Sequence, residues 1–171
     1  MTPTEPTGWR STRANFARTW QRVMTDPHGF FAEMPQAGGL GDPGTFLLIT
    51  GALNAIGHLV LGAGIWGMLA SFVFHVVMAG VVAALFTVIA QQLFEGKAGF
   101  EPTFRVVAYA TAPLVFSWVP FVGTVARLYA AYLAMRGIER VHTVDTTRAV
   151  LTIVLGVVAI WLLILPAAAW A

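Results

Sequence analysis

Three stretches of this chain contain no Asp, Glu, Lys or Arg: Phe46 to Phe94, Val106 to Ala126 and Ala149 to Ala171. About 20 apolar residues cross a bilayer as a helix. The first stretch is 49 residues long, too long for one crossing and right for two. Gly62, Gly64 and Gly67 cluster where its tight turn belongs. The pattern predicts a first span near 46–63 and a second near 67–94. At about 1.5 Å per residue the second outruns the hydrocarbon core. It should tilt, or project past the headgroups at Gln91, Gln92 and Glu95. A third span is expected from about Phe104 to Val119, kinked at Pro113, whose ring nitrogen cannot donate. The uncharged stretch Trp118 to Gly123 reads as a tight hairpin into a fourth span, about Pro120 to Gly137. The polar stretch Arg136 to Arg148 follows. A fifth span is expected over about 147–169, capped by Asp145 or Thr146 and ended at an interface by Trp170.

The chain before the first span differs. Residues 1–8, rich in Thr and Pro, read as disordered. Over residues 9–24, a turn of 100° per residue puts Trp9, Phe16, Trp20, Val23 and Met24 on one face. It puts Ser11, Asn15, Arg18 and Arg22 opposite. Trp and Arg at this spacing suit an amphipathic helix at the membrane interface. Packing on the bundle's own cytoplasmic face is the other reading. Residues 25–45 read as a linker, with Asp42-Pro43-Gly44-Thr45 turning into the first span and Thr45 as its N-cap. The expected division is a cytoplasmic segment, 1–45, and a five-helix transmembrane domain, 46–171. The first 45 residues contain no apolar signal core, so the first span is expected to direct its own insertion.

Composition agrees with this picture. Hydrophobic residues make up 57% of the chain and charged residues 11%, against about 25% charged in an ordinary soluble protein. A soluble domain, a nucleic-acid binder and a disulfide scaffold are excluded, the last because there is no Cys. Five crossings place the termini on opposite sides. The N-terminal segment, the 95–105 loop and the 136–148 loop then share one side. That side holds Arg10, Arg13, Arg18, Arg22, Lys97, Arg105, Arg136, Arg140 and Arg148. The other side has no Lys or Arg, which is the asymmetry of a positive-inside protein. The expected fold is therefore an all-α polytopic membrane protein, N-terminus cytoplasmic and C-terminus outside.

The stretch from Gly96 through Phe100-Glu101-Pro102-Thr103-Phe104-Arg105-Val106-Val107-Ala108-Tyr109-Ala110-Thr111-Ala112-Pro113 resembles the Yip domain family, the Ypt/Rab-interacting membrane proteins and their prokaryotic relatives. Pro120-Phe121-Val122-Gly123, Gly137, His142 and the Thr146/Ala149 helix start continue the likeness. Upstream, Asp26-Pro27-His28-Gly29-Phe30-Phe31 and Asp42-Pro43-Gly44-Thr45-Phe46 are similar to the family's segment before the first span. The likeness covers roughly residues 26–165. It implies five membrane helices and a cytoplasmic N-terminus. Eukaryotic members bind prenylated small GTPases and act in vesicle traffic and membrane shaping. This chain resembles the short prokaryotic type, which places it in the cell's inner (plasma) membrane. Where the family pattern carries a Trp or apolar residue, it has Arg127.

Polar side chains inside a membrane are functional candidates by default. Asn54 and His58 are four apart on the first span and share a face. His75 lies on the second span and Arg127 on the fourth. From the helix rise, His58, His75 and Arg127 lie roughly 8, 12 and 10 Å below the outer turns. They should converge, with Asn54, Ser117 and Thr124 nearby as hydrogen-bond partners. No carboxylate lies in any span, so Arg127 is left with carbonyls, hydroxyls, water or an anionic lipid or ligand. Its rival roles are snorkelling outward and stapling helices through carbonyls. Two imidazoles lack a third ligand, and helix–helix hydrogen bonding is favoured for them over a metal or proton relay. Ala126, Ala130 and Ala134 form a small-residue strip for close helix approach.

On the cytoplasmic side, Glu95 and Arg105 are expected to pair. Glu95, Arg105, Arg136, Arg140 and His142 form a candidate partner-binding face, with Glu139 and Glu101 nearby. Gly38-Gly39-Leu40-Gly41 is not followed by Lys-Ser/Thr, so it is no phosphate loop. With no catalytic motif, a non-enzymatic scaffold or adaptor without cofactor is expected. Its partners would be membrane lipids, a cytoplasmic protein and a second copy. The alternative is a small-solute, ion or lipid pathway around Asn54, His58, His75 and Arg127.

Overall fold

The computed structural model describes the backbone of residues 12–169 and the side chains of residues 16–162. Trp9, Ser11 and Trp170, and the side chain of Asn15, fall outside that set. The described residues form α-helices joined by short turns, with no strand among them.

Helix α1 runs over Thr12–Thr25 and α2 over Pro27–Glu33. The stretch expected to be a linker therefore contains a helix. Its start is chemically explicit: Pro27 occupies the first turn, where no N–H is needed. Asp26 Oδ1 accepts from the Gly29 N–H at 3.0 Å as an N-cap does. Val23 of α1 and Phe30, Phe31 and Met34 of α2 and its C-cap are buried in the same core as Phe46, Tyr109, Leu133 and Ile138. The Trp20 indole N–H donates to the Ala112 carbonyl at 2.9 Å. The apolar face expected to meet lipid headgroups thus meets protein.

Helix α3, Gly41–Val60, starts five residues earlier than a Thr45 cap would allow. Thr45 instead bonds back to the Gly41 carbonyl at 2.8 Å. Pro43 is tolerated because the first turn's N–H groups have no intrahelical partner. Gly62 and Gly64, at φ 86° and 68°, make the expected turn into α4, Gly64–Phe94. Only glycine enters that left-handed region without strain. At 31 residues, α4 is about 46 Å long. Helices α3 and α4 are each long and apolar enough to cross a membrane.

The third expected span is not one helix. Helix α5 covers Phe100–Ala110, and a 3-10 segment follows over Ala112–Phe116. Pro113 breaks the α-helical ladder and Thr111 turns its hydroxyl onto the Ala108 carbonyl at 2.6 Å. The break lets this limb tighten against α3: Thr111 and Thr50 hydroxyls meet at 2.8 Å. After the turn, with Phe121 at φ 63°, α6 runs Val122–His142. It continues five residues past the expected end, so Glu139 and Arg140 are helical. Helix α7 is Thr146–Ala169, preceded by Asp145, which pairs with Arg148 at 3.4 Å.

Candidate functional site

Helix α3 and the α5/3-10 limb run in the same direction. Phe46 faces Tyr109, with ring centroids 5.1 Å apart, and Asn54 reaches Leu114 and Ser117. Helices α4 and α6 run oppositely. That arrangement brings Asn54, His58, Ser71, His75, Ser117 and Arg127 to one end of a cavity of about 470 Å³. His58, His75 and Arg127 line one cavity, and of their expected partners Asn54 and Ser117 line it with them. Thr124 does not: it is exposed on the outer face of α6. Ser71 was missed. The signal for it was spacing, since it lies one turn from His75 on α4.

Asn54 organises the polar end. Its amide donates to the Leu114 carbonyl at 2.8 Å and to Ser117 Oγ at 2.6 Å, and its Oδ1 accepts from Ser71 at 3.2 Å. It is 4% exposed, while its partners Leu114, Ser117 and Ser71 are half-buried. Arg127 donates to the Ser117 carbonyl at 3.2 Å. That is the carbonyl-stapling role, but one carbonyl uses little of a five-donor guanidinium. His75 packs over Gly51, and its Nε2 is buried with no hydrogen-bond partner among the described residues. Among the described residues, no group of three His, Asp or Glu side chains stands close enough together to hold a metal ion.

The other end of the cavity is apolar, formed by Val82, Phe86, Ile153 and Val157. Ala130 and Ala134 line it as well. Of the alanine strip of α6, Ala130 and Ala134 therefore border this space, while Ala126 is buried outside it. The result is one compartment, cationic and hydrogen-bonding at one end and hydrocarbon-like at the other.

The cluster expected on the cytoplasmic side is rearranged. Arg105, 4% exposed, does not pair with Glu95. It bonds Glu101 at 3.3 Å and the Gly39 carbonyl at 2.6 Å, while Glu101 accepts from the Gly39 N–H at 2.7 Å. An i,i+4 partner on α5 and a fixed backbone clamp suit a buried guanidinium better than an exposed helix-end glutamate. Glu95 instead sits at the left-handed C-cap of α4, φ 57°. His142 is fully buried, with Nε2 and Thr103 Oγ1 at 2.9 Å. Burial holds its pKa down at about 4. Arg105 and His142 are thus packed inside the protein, and of the face expected to meet a partner Glu95 and Arg140 are exposed and Arg136 half-buried.

The Yip1 domain family model matches residues 22–169. The chain belongs to the Yip1 domain family. It is an integral membrane protein of that type. No curated protein and no solved structure matches it.

Proposed function

We propose that this protein crosses the membrane five times, N-terminus cytoplasmic, and is a non-enzymatic organiser of lipid that holds an anionic amphiphile in the cavity between α3, α4, α6 and α7. The threading is supported by length. The 21 residues of α6 and 24 of α7 give about 31 and 36 Å, and α5 with its 3-10 extension completes the third crossing. The charge asymmetry supports the orientation and an inner-membrane location.

The observation that carries the ligand is the polarity gradient along one cavity: Arg127 at one end, Phe86 and Ile153 at the other. A lone guanidinium with no carboxylate in reach is matched by an anionic head. A wall of Val, Ile and Phe is matched by an acyl chain. A volume of about 470 Å³ is within the range of small-molecule sites, about 300–1,000 Å³. An ion pathway would need polar groups along its whole length, and the apolar end lacks them. The adaptor reading loses Arg105 and His142 from its proposed face.

Photolabelling tests this. An oleate carrying a diazirine on its chain should label α4 and α7 near Val82 and Ile153 in the wild type. Arg127→Leu should lose most of that labelling while keeping the wild-type unfolding profile. Equal labelling of both proteins refutes the site.

A further inference from the structure

A second cavity lies at the cytoplasmic end of α6, far from Arg127 and independent of the amphiphile site. It measures about 430 Å³ and is walled by His28, Phe31 and Ala32 of α2 and by Arg136, Glu139, Arg140 and Thr143 of α6 and its C-cap. We propose that it binds a phosphate group, carried by an anionic membrane lipid or free in the cytoplasm.

The charge accounting points to an anion. Glu139 is fully engaged: Oε2 accepts from Arg136 at 2.9 Å and Oε1 from Thr146 at 2.8 Å. That pairing uses one end of Arg136. Its Nε is buried and has no hydrogen-bond partner among the described residues. Arg140 has no carboxylate among the described residues. Its described contact is a long bond to the Ala32 carbonyl, 3.4 Å. The wall thus presents one uncompensated guanidinium, a second that is shared with Glu139, an exposed imidazole and the Thr143 hydroxyl. Phosphate is the anion that takes several forked N–H and O–H donors at once. The partial negative charge at the α6 C-terminus opposes it, but amounts to about half a charge, less than Arg140 supplies. The site also has an address. It sits where a helix about 31 Å long ends, at headgroup level. Basic pockets at that level between membrane helices take anionic headgroups.

The test uses the full chain in detergent with two probes, phosphatidylglycerol in mixed micelles and inorganic phosphate. Phosphatidylglycerol should bind more tightly than phosphatidylcholine and raise the unfolding midpoint. Arg140→Gln should weaken that binding about tenfold or more. Arg140→Lys should restore part of it, since charge returns without the fork. Lys97→Gln, exposed on the same side, should bind as wild type. If inorganic phosphate competes, the free anion is also a ligand. If it does not, while Arg140→Gln still weakens lipid binding, the headgroup is the source. Wild-type binding by Arg140→Gln overturns the proposal. So does an equal loss in Lys97→Gln, which would mark general surface charge. Measured in the Arg127→Leu background, which removes the cation of the amphiphile cavity, the loss caused by Arg140→Gln should persist, and this keeps failure here separate from failure at that cavity.

Discussion

Acidification should loosen this protein through one imidazole. His142 is fully buried at the end of α6. It meets Thr103 Oγ1 through Nε2, and its Nδ1 has no partner among the described residues. Its neutral form is favoured, with a pKa of about 4 against an ordinary 6.5. The unfolded chain therefore binds more protons between those values. Stability from this group is complete above about pH 6.5, falls as pH drops toward about 4 and changes no further below that. The full difference is about 3 kcal/mol. Between pH 7 and pH 5 the loss is about 2 kcal/mol, a large fraction of ordinary domain stability. Unfolding in mild detergent, followed by tryptophan fluorescence at each pH, measures it. His142→Gln removes the titration, and the difference between variant and wild type cancels the other histidines. The variant should begin less stable at pH 7 and lose about 2 kcal/mol less on reaching pH 5. Parallel pH curves for the two proteins would refute the reasoning.

Two further outcomes follow from the packing. Asn54→Leu keeps the volume but leaves the Leu114 carbonyl, Ser117 and Ser71 without the bonds they make to Asn54; it should cost about 2 kcal/mol, read as a lowered unfolding midpoint. In Gly123→Ala the new methyl group collides with the Ser117 backbone carbonyl, which also receives Arg127; a loss of about 1–3 kcal/mol should come with weaker oleate labelling, and an unchanged midpoint would contradict the close approach of α6 to the 3-10 segment.

The membrane helices were legible in the sequence wherever charge is absent for long enough. The 46–94 run gave both α3 and α4, and its glycines marked the turn at Gly62 and Gly64. Convergence of Asn54, His58, His75 and Arg127 was legible too, because helix rise converts position into depth. Short elements were hidden. Helix α2 has seven residues and too little periodicity to register, although Asp26-Pro27 is a cap followed by a first-turn proline. Pro113 signalled a kink; that the chain would pass into a 3-10 segment depends on Thr111 finding Thr50 across the bundle. The cytoplasmic pairings were out of reach for a similar reason. Whether Arg105 meets Glu95 or Glu101, and whether His142 faces outward or onto Thr103, depends on how α5 and α6 are rotated about their axes. Hydrophobic periodicity is weakest at such polar helix ends.

The α1–α2 hairpin is masonry, not a tether. Phe30 stacks edge-on against Tyr109 at 5.0 Å, Phe16 lies on Phe46 at 5.0 Å, and the Tyr129 hydroxyl donates to the Met24 carbonyl at 2.8 Å. Cutting the chain ahead of Gly41 would pull these stones from the wall. A shortened protein that lost a binding partner would be reporting a breached interior, and point changes on the solvent side of α1, such as Arg18, are the cleaner way to ask what the amino-terminal arm touches.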